Sequence, residues 1–353
     1  VKNTGPENIL DFTPDELKKR FAEAGIEPYR AGQVLKWVYE KSVYDFDRMT
    51  DLSVSLRQKL KTTFSLRLPD VAREEDSRED KSVKLLLKLS DKELIECVTM
   101  PVKGRERSRT TVCISSQVGC KFHCAFCASG QAGFFRNLSM GEMLAEVLRA
   151  RDRSPDKKVT HIVFMGIGEP FDNYKELLRT IRTLNSKEAF GIGARKITVS
   201  TCGIVPKIEQ FAGEGIQAEL SVSLHGATDA VRGLILPVNR AYPVRPLIQA
   251  CRHYVKKTNR VITFEYILIK AVNASESDAR TLAKLLKGML CKVNLIPYNP
   301  IDEFPHVAPS YPETVRFQKI LQENGIKTTV RFSKGKDIQA ACGQLRSVQL
   351  KTR

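Results

Sequence analysis

The chain reads as an α/β protein: an open, partial (β/α)6 barrel of the TIM type, preceded by a small helical domain and carrying a β-hairpin extension. Three observations predict this. Apolar residues recur at helical spacing as far as Thr63, then at strand spacing from Val83 to Ser115. Beyond Cys127, short apolar runs alternate with amphipathic segments long enough to be crossover helices, which is the pattern of a parallel sheet. Six such units fall short of the eight that close a barrel, so the sheet stays open.

The first helix is punctuated at both ends. Thr13 and Glu16 form a capping box, Pro14 takes the first helical position and Gly25 ends the run. A second helix is predicted over Arg30–Lys41, where Val34, Leu35, Val38 and Tyr39 make an apolar stripe. Trp37, the single tryptophan, lies on it and reads as a packing residue. A third helix runs through Ser53–Thr63, and the acidic, breaker-rich stretch Leu68–Asp80 reads as a boundary. Strands follow at Val83–Leu89, Leu94–Val102 and Thr110–Ser115, with turns at Asp91-Lys92 and Lys103–Arg109. The second turn carries Lys103, Arg105, Arg107 and Arg109, which suit a solvated hairpin tip and a contact to nucleic-acid phosphates equally well. The strand entering the cysteine motif, with those at His161–Met165, Lys196–Thr201, Glu219–Leu224, Thr263–Ile269 and Lys292–Pro297, makes the six. The chain divides into a helical accessory domain over 1–75, itself an RNA-binding candidate, a hairpin extension over 76–112 and a core over 113–353. No internal repeat is visible.

Lys and Arg number 57 against 40 Asp and Glu, a formal charge of +17. That excess points to a polyanionic partner, nucleic acid first; charge alone does not separate RNA from DNA or acidic lipid. No basic amphipathic segment argues for membrane binding, and no run of about twenty apolar residues could span one. The polar start Val1–Glu7 carries no signal-peptide pattern, so a cytoplasmic location is expected. Nine unevenly spaced cysteines, three of them clustered, fit a reducing compartment and a metal or catalytic role better than a disulfide framework.

The clustered three are Cys120, Cys124 and Cys127, spaced C-x3-C-x2-C. Three thiolates from one tight loop suit a 4Fe–4S cube with one iron left open. A structural zinc would need a closed tetrahedral set; His123 could complete it, but the paired C-x2-C arrangement is missing. Gly166-Ile-Gly168-Glu169-Pro170 follows a predicted strand. It lacks the third glycine of a dinucleotide fingerprint, and no P-loop exists elsewhere. It is either a plain glycine turn or a place where backbone approaches a ligand, with Glu169 accepting from an ammonium group. Ser200 and Ser223-Leu224-His225 end strands, and either could be an ordinary terminus. Cys97, Cys202, Cys251 and Cys291 sit among apolar neighbours and read as packing. Cys342 is different, flanked by small residues that would let a bulky substrate approach. Glu96 interrupts an apolar strand, as an outward-facing residue of a half-exposed hairpin would.

With Phe126 before its last cysteine, the triplet resembles the signature of radical S-adenosylmethionine enzymes. The words CISSQVGC, GFFRNL, MGIGEP, SLHGA and AACGQL, in that order, make the chain similar to the RlmN/Cfr RNA methyltransferases from about Thr13 to Leu345. The resemblance implies one 4Fe–4S cluster on Cys120, Cys124 and Cys127, its open iron chelated by S-adenosylmethionine. It assigns Gly168 and Glu169 to the amino-acid part of that molecule, and Ser200, Ser223, Leu224, His225 and Asn299 to further contacts with it. Cys342 becomes the methyl-carrying cysteine, Cys113 its resolving partner and Glu96 the general base, the last in a hairpin longer than is common in the family.

Two molecules of S-adenosylmethionine are then used per turnover. One methylates Cys342; the other yields a 5′-deoxyadenosyl radical that activates the methyl group for addition to adenine. Cys113 releases the product through a transient disulfide. The implied partners are naked 23S rRNA before ribosome assembly, some tRNAs at the adenosine after the anticodon, and an electron donor such as flavodoxin or ferredoxin; a monomer is expected. Val118 and Pro170 lean toward the C2-methylating branch over the C8-methylating, antibiotic-resistance branch. Two rivals are an RNA-binding protein with a structural metal and a radical enzyme acting on a small molecule or peptide; neither needs paired Cys113 and Cys342.

Overall fold

The computed structural model describes residues 5–102, 104, 108–154 and 157–346. Lys103, Arg105 and Arg107 of the basic turn lie outside the described residues.

The N-terminal helices form where their caps and stripes place them. After β1 (Glu7–Asn8), the Thr13 hydroxyl accepts from the Glu16 amide at 3.3 Å and the Glu16 carboxylate accepts from the Thr13 amide at 2.8 Å, starting α1 (Pro14–Glu23). With α2 (Arg30–Tyr39) and α3 (Val54–Thr63) it buries Leu17, Phe21, Val34, Leu35 and Val38 in a core of its own. β2 (Phe64–Ser65) closes the unit by pairing with β1.

Next come β3 (Asp70–Asp76), β4 (Val83–Lys88), β5 (Leu94–Val102) and β6 (Arg109–Ile114), an antiparallel meander. β3 occupies the acidic stretch read from sequence as a boundary. Its residues DVAREED are charged because it is the outer edge of the sheet, where charge blocks pairing with another chain. Such a strand has the composition of a loop.

The core follows as β7 (Gln117–Gly119), α4 (Ala128–Gln131), β8 (Phe134–Asn137), α5 (Met140–Arg153), β9 (His161–Phe164), α6 (Tyr174–Asn185), β10 (Ile197–Thr201), α7 (Val205–Phe211), β11 (Glu219–Ser223), α8 (Asp229–Ile235), α9 (Val244–Thr258), β12 (Ile262–Leu268), α10 (Glu276–Leu286), β13 (Cys291–Pro297), α11 (Tyr311–Glu323) and β14 (Lys327–Val330). One ten-stranded sheet runs β14-β13-β12-β11-β10-β9-β6-β5-β4-β3, parallel from β14 to β6. The six expected parallel strands are all present. A seventh, the short edge strand β14, joins them; its Lys327-Thr-Thr-Val330 is too polar to signal a strand by pattern.

Because successive parallel strands are neighbours, right-handed crossovers put the connecting helices on one face, and the sheet curls with its other face inward. The side chains obey this. Ile197, Val199, Leu220, Val222, Ile262, Phe264, Val293 and Leu295 are fully buried toward the helices. The alternate positions Ser200, Ser221, Ser223, Glu265 and Asn294 are polar and line the lumen. α5 joins the two cores: Ala145 and Leu148 pack with the N-terminal helices, Leu144 and Val147 with the barrel. Arg151 of α5 donates to the carbonyls of Val38 (3.0 Å) and Tyr39, so the helical unit is fastened by its own α2 terminus.

Candidate active site

The Cys120–Cys127 loop leaves β7 and is shaped by a few tight contacts. His123 adopts a left-handed conformation, φ 48°, and its Nδ1 bonds to the Gly130 carbonyl at 2.9 Å. A Cβ on Gly130 would sit 3.0 Å from the His123 Cα, so glycine lets the loop close. The Ala125 amide donates to Ile235 at the end of α8, 2.9 Å away. The Phe126 ring meets the His225 imidazole edge-on at 4.8 Å. Burial pushes the Cys120 thiol up to about 12 and Cys124 well above its usual range, and the neighbouring Cys127 adds to both. Thiols so raised become thiolates at neutral pH when a metal takes up their charge.

Among the described residues, no three His, Cys, Asp or Glu side chains close on a single metal ion. The Nδ1 bond to Gly130 leaves His123 Nε2 free among the described residues. It is the set of three thiols from one C-x3-C-x2-C loop, without the paired C-x2-C arrangement, that fits a multi-iron body better than tetrahedral zinc.

The MGIGEP turn is stitched to the CISSQ strand residue by residue. The Ile167 amide donates to Ser115 Oγ (3.0 Å), the Ser116 amide to the Ile167 carbonyl (2.8 Å), and the Glu169 amide to Gln117 Oε1 (2.9 Å). Such proximity leaves no room for side chains. A Cβ on Gly166 would lie 2.7 Å from the Ile114 backbone, and one on Gly168, at φ +100°, 2.5 Å from Gln117. Glu169 is buried and both its oxygens accept backbone amides, Phe171 at 3.0 Å and Cys202 at 2.7 Å. A carboxylate keeps further acceptor capacity after two bonds.

Around the lumen the remaining candidates fall into two groups. Ser200 and Ser223 are half-buried on the inward faces of β10 and β11, with hydroxyls that have no partner among the described residues. Asn299 donates to Ser333 Oγ (2.8 Å) and to the Cys342 carbonyl (3.2 Å), yet its own Oδ1 is buried without a donor. That orphaned acceptor fits a ligand bearing N–H or O–H groups, as an adenosyl ligand does. His225 Nδ1 accepts from the Ile267 amide at 3.0 Å, and burial lowers its pKa to about 3, so the ring is neutral with its proton on Nε2. Leu224, by contrast, is fully buried, with its amide and carbonyl both engaged; only its apolar shape is on offer.

The segment around Cys342 is fixed by two parts of the fold at once, α4 and the loop after β13. The Ala128 amide donates to the Gly343 carbonyl (2.7 Å), Ser129 Oγ to Leu345 (2.7 Å), and Gln344 Nε2 to Pro300 (3.1 Å). The thiol is exposed, but its surroundings are Cys127, Glu265 and Arg331, so its exposed surface faces the lumen. Burial by the walls, with the charges of Cys127 and Glu265, raises its pKa to about 12 against the opposing pull of Arg331. Cys113, inward on β6, lies in a small apolar cluster with Val98, Ile167, Ala340 and Leu345. Burial first, then the nearby Cys342, holds its thiol above the usual range. Both cysteines are free.

Glu96 does not face solvent as the hairpin pattern suggested. It is buried on the inner face of β5, accepting from the Arg346 amide at 2.8 Å with Lys84 Nζ 3.5 Å away, and burial raises its pKa. Of the four cysteines read as packing, Cys97, Cys202 and Cys251 are buried and Cys291 half-buried.

Sequence reasoning passed over several residues that build the site. Gln117 bridges Glu169, Asn137 and Asp172. Glu146, wholly buried in α5, accepts the Ser115 amide. Glu265 receives Asn294 Nδ2 at 3.0 Å beside Cys342. Arg232 is completely buried behind the cysteine loop. The available signal was an acid or base inside an apolar run, as in Ile262-Thr-Phe-Glu-Tyr-Ile-Leu268.

The comparisons with known proteins agree with this geometry. Residues 114–283 match the profile of the radical SAM superfamily, and residues 7–66 match that of the ribosomal RNA large subunit methyltransferase N-terminal domain. A radical SAM methyltransferase crystal structure from Sphaerobacter thermophilus superposes with a TM-score of 0.92 at 46% identity, covering 97% of this chain and 100% of that one. The barrel and its cysteine loop thus define a radical SAM enzyme, a class in which a 4Fe–4S cluster and S-adenosylmethionine are implied. A probable dual-specificity RNA methyltransferase RlmN of Thermoanaerobacter sp. (strain X514) is 46% identical over 346 residues, 98% of this chain and 99% of that protein. One from Clostridium tetani (strain Massachusetts / E88) is 46% identical over 339 residues, 96% and 95% of the two chains. The chain belongs to the RlmN family of radical SAM RNA methyltransferases. No helix among the described residues is long and apolar enough to cross a membrane.

Proposed function

We propose that this enzyme methylates C2 of an adenosine in 23S rRNA, and the adenosine after the anticodon in some tRNAs, through a methyl group carried on Cys342. The observation that carries the reading is the meeting of Cys342 with Cys113 and the Cys120–Cys127 loop in one lumen. An adenine ring carbon is a poor nucleophile, so polar methyl transfer assisted by a side-chain base, worth roughly 10²–10⁴-fold, is insufficient. Cys120, Cys124 and Cys127 would hold the cluster, with Gly168, Glu169, Ser200, Ser223, His225 and Asn299 around S-adenosylmethionine. When bound, these two groups would supply a 5′-deoxyadenosyl radical, given one electron from a flavodoxin- or ferredoxin-class donor.

The protein's own groups do the rest. Cys342 attacks the methyl carbon of a first S-adenosylmethionine as a thiolate, favoured by Arg331 and by the donor's own positive charge. The methyl on Cys342 would then give up a hydrogen atom to that radical, made from a second S-adenosylmethionine, 5′-deoxyadenosine being the by-product. Its carbon would join C2, leaving one unpaired electron on the adduct. Glu96, whose burial raises its affinity for protons, accepts the proton from that carbon. Cys113 attacks the Cys342 sulfur as a thiolate, and the sulfur–carbon bond breaks as the disulfide forms. The freed carbon takes up a proton to become the product methyl, and the one surplus electron would return to the cluster.

RNA is supported as the substrate by the cations around the lumen. Arg109, Lys196, Lys292 and Arg331 have no carboxylate within ion-pair distance among the described residues. His161 beside them is lowered to about 4 by burial and by Arg109 and Lys196. Such a field suits phosphates, and an unstacked adenosine is what could enter the lumen. Mass spectrometry of adenosines from rRNA and tRNA of cells with and without the enzyme tests the proposal. Loss of 2-methyladenosine is expected; loss of the C8 isomer instead overturns the C2 assignment.

A further inference from the structure

We propose that Arg232 is the buried counter-cation of the iron–sulfur cluster, and that its charge sets how readily the cluster takes up its electron. This rests on the assignment of the cluster to Cys120, Cys124 and Cys127 made above.

Arg232 has no exposed surface, and all its hydrogen-bond partners are neutral. Nε donates to the Leu224 carbonyl (3.2 Å), Nη1 to Asn239 Oδ1 (3.0 Å) and the Tyr242 carbonyl (3.2 Å), and Nη2 to the Cys202 carbonyl (2.6 Å). No carboxylate among the described residues pairs with it. Asp229, the acid nearest in sequence, commits an oxygen to the Val244 amide at 2.7 Å. A guanidinium keeps its charge in such a place, and a buried charge without a counter-ion is costly.

The backbone is shaped to admit this side chain. A Cβ on Gly226 would lie 2.6 Å from the Arg232 amide nitrogen, and one on Gly203 would lie 3.2 Å from Nη2. The groups whose charge reaches Arg232 are the sulfurs of Cys202 and Cys124 and, after them, the Asp229 carboxylate. Burial keeps both thiols protonated in the free protein, and Cys124 becomes an anion only as a cluster ligand. Its helix, α8, also receives the Ala125 amide of the cysteine loop at its last residue. A cube bound by three thiolates is anionic and gains one more negative charge on reduction. Arg232 pairs directly with no carboxylate among the described residues, and Asp229 reaches it only at longer range. A fixed cation beside Cys124 therefore favours the reduced form of a cluster bound there.

The test is the midpoint potential of the reconstituted, full-length enzyme, titrated anaerobically with dithionite and followed by electron paramagnetic resonance. Iron and sulfide contents are measured in parallel. Arg232→Lys keeps the charge and is expected to stay within about threefold of wild type in its reduction equilibrium. Arg232→Gln is expected to be about tenfold harder to reduce, a fall of about 59 mV for one electron. Asn239→Asp sets a carboxylate on Nη1 without removing the arginine, and is expected to shift the potential in the same direction. It decides the matter if Arg232→Gln fails to retain a cluster. Wild-type potential in variants with full iron and sulfide content overturns the inference alone and indicates a purely structural arginine. A wild-type protein that cannot bind a cluster overturns the ligand assignment together with it.

Discussion

Replacing Cys113 by alanine should convert the enzyme from a catalyst into a trap. Cys113 is only 8% exposed and packs with Val98, Ile167, Ala340 and Leu345, so removing its sulfur leaves a small void. By analogy with the smallest core truncations the cost is about 1 kcal/mol, against a typical domain stability of about 5–15 kcal/mol. The variant should therefore fold and load Cys342 with methyl. It should still couple that carbon to adenine, and then stop, since no neighbouring thiolate can displace the carbon–sulfur bond. Turnover should fall to no more than about one RNA per protein, each left covalently attached.

A denaturing gel would show a species of higher mass that RNase collapses. Cys342→Ala should show no such species, and adding it to Cys113→Ala should erase the shift. A pH dependence follows in the wild type. Burial and Cys342 hold the Cys113 thiol above its usual range, so its thiolate fraction rises about tenfold per pH unit through neutrality. The adduct should accordingly shorten in lifetime between pH 7 and pH 9. If both single variants behave alike, with neither trapping RNA, the roles given to the two cysteines are wrong.

Three other outcomes are expected. Gly168→Ala should abolish S-adenosylmethionine binding in equilibrium dialysis and lower the melting temperature, since φ +100° strains the residue and the new methyl meets Gln117 at 2.5 Å; unaltered binding would refute this. Glu146 is buried and its pKa is raised, so its stabilising contribution is complete below about pH 4.3, its unfolded value, and is lost as pH climbs toward the folded value. Wild type should therefore drop in melting temperature relative to Glu146→Gln between pH 5 and pH 8, whereas parallel curves would show that the carboxyl does not titrate. RNA affinity should fall steeply with salt. Neutralising Arg109, Lys292 and Arg331 together should flatten the log–log slope by about 0.7–0.9 for each phosphate they had held; an unchanged slope would place the RNA elsewhere.

Much of this molecule is written locally. The alternation of apolar runs and amphipathic segments specified six parallel strands and their crossover helices, because period and length depend only on neighbours in sequence. The Thr13–Glu16 cap, the glycines at 166 and 168 and the C-x3-C-x2-C spacing are local in the same sense: each is a backbone geometry that few residues can adopt. The charged strand β3 and the polar strand β14 were hidden because edge strands have one side in water, so their composition matches that of loops.

The meaning of individual acids and bases was decided only in three dimensions. Glu96 looked like the outward face of a hairpin and proved buried beneath the Arg346 amide and Lys84, because residues from the far end of the chain cover it. Glu146, Arg232 and Glu265 read as ordinary charges until the folded barrel removed their water. Cys342 depends most on the tertiary structure. Small neighbours hinted at access, but its place beside Cys113, Cys127 and Glu265 comes from hydrogen bonds to the cysteine loop and to Pro300, far away in sequence. Sequence pattern determines which segments must bury a face. Which groups then share a low-dielectric space, and so perturb one another, is a property of distance in the folded chain, and no local period encodes it.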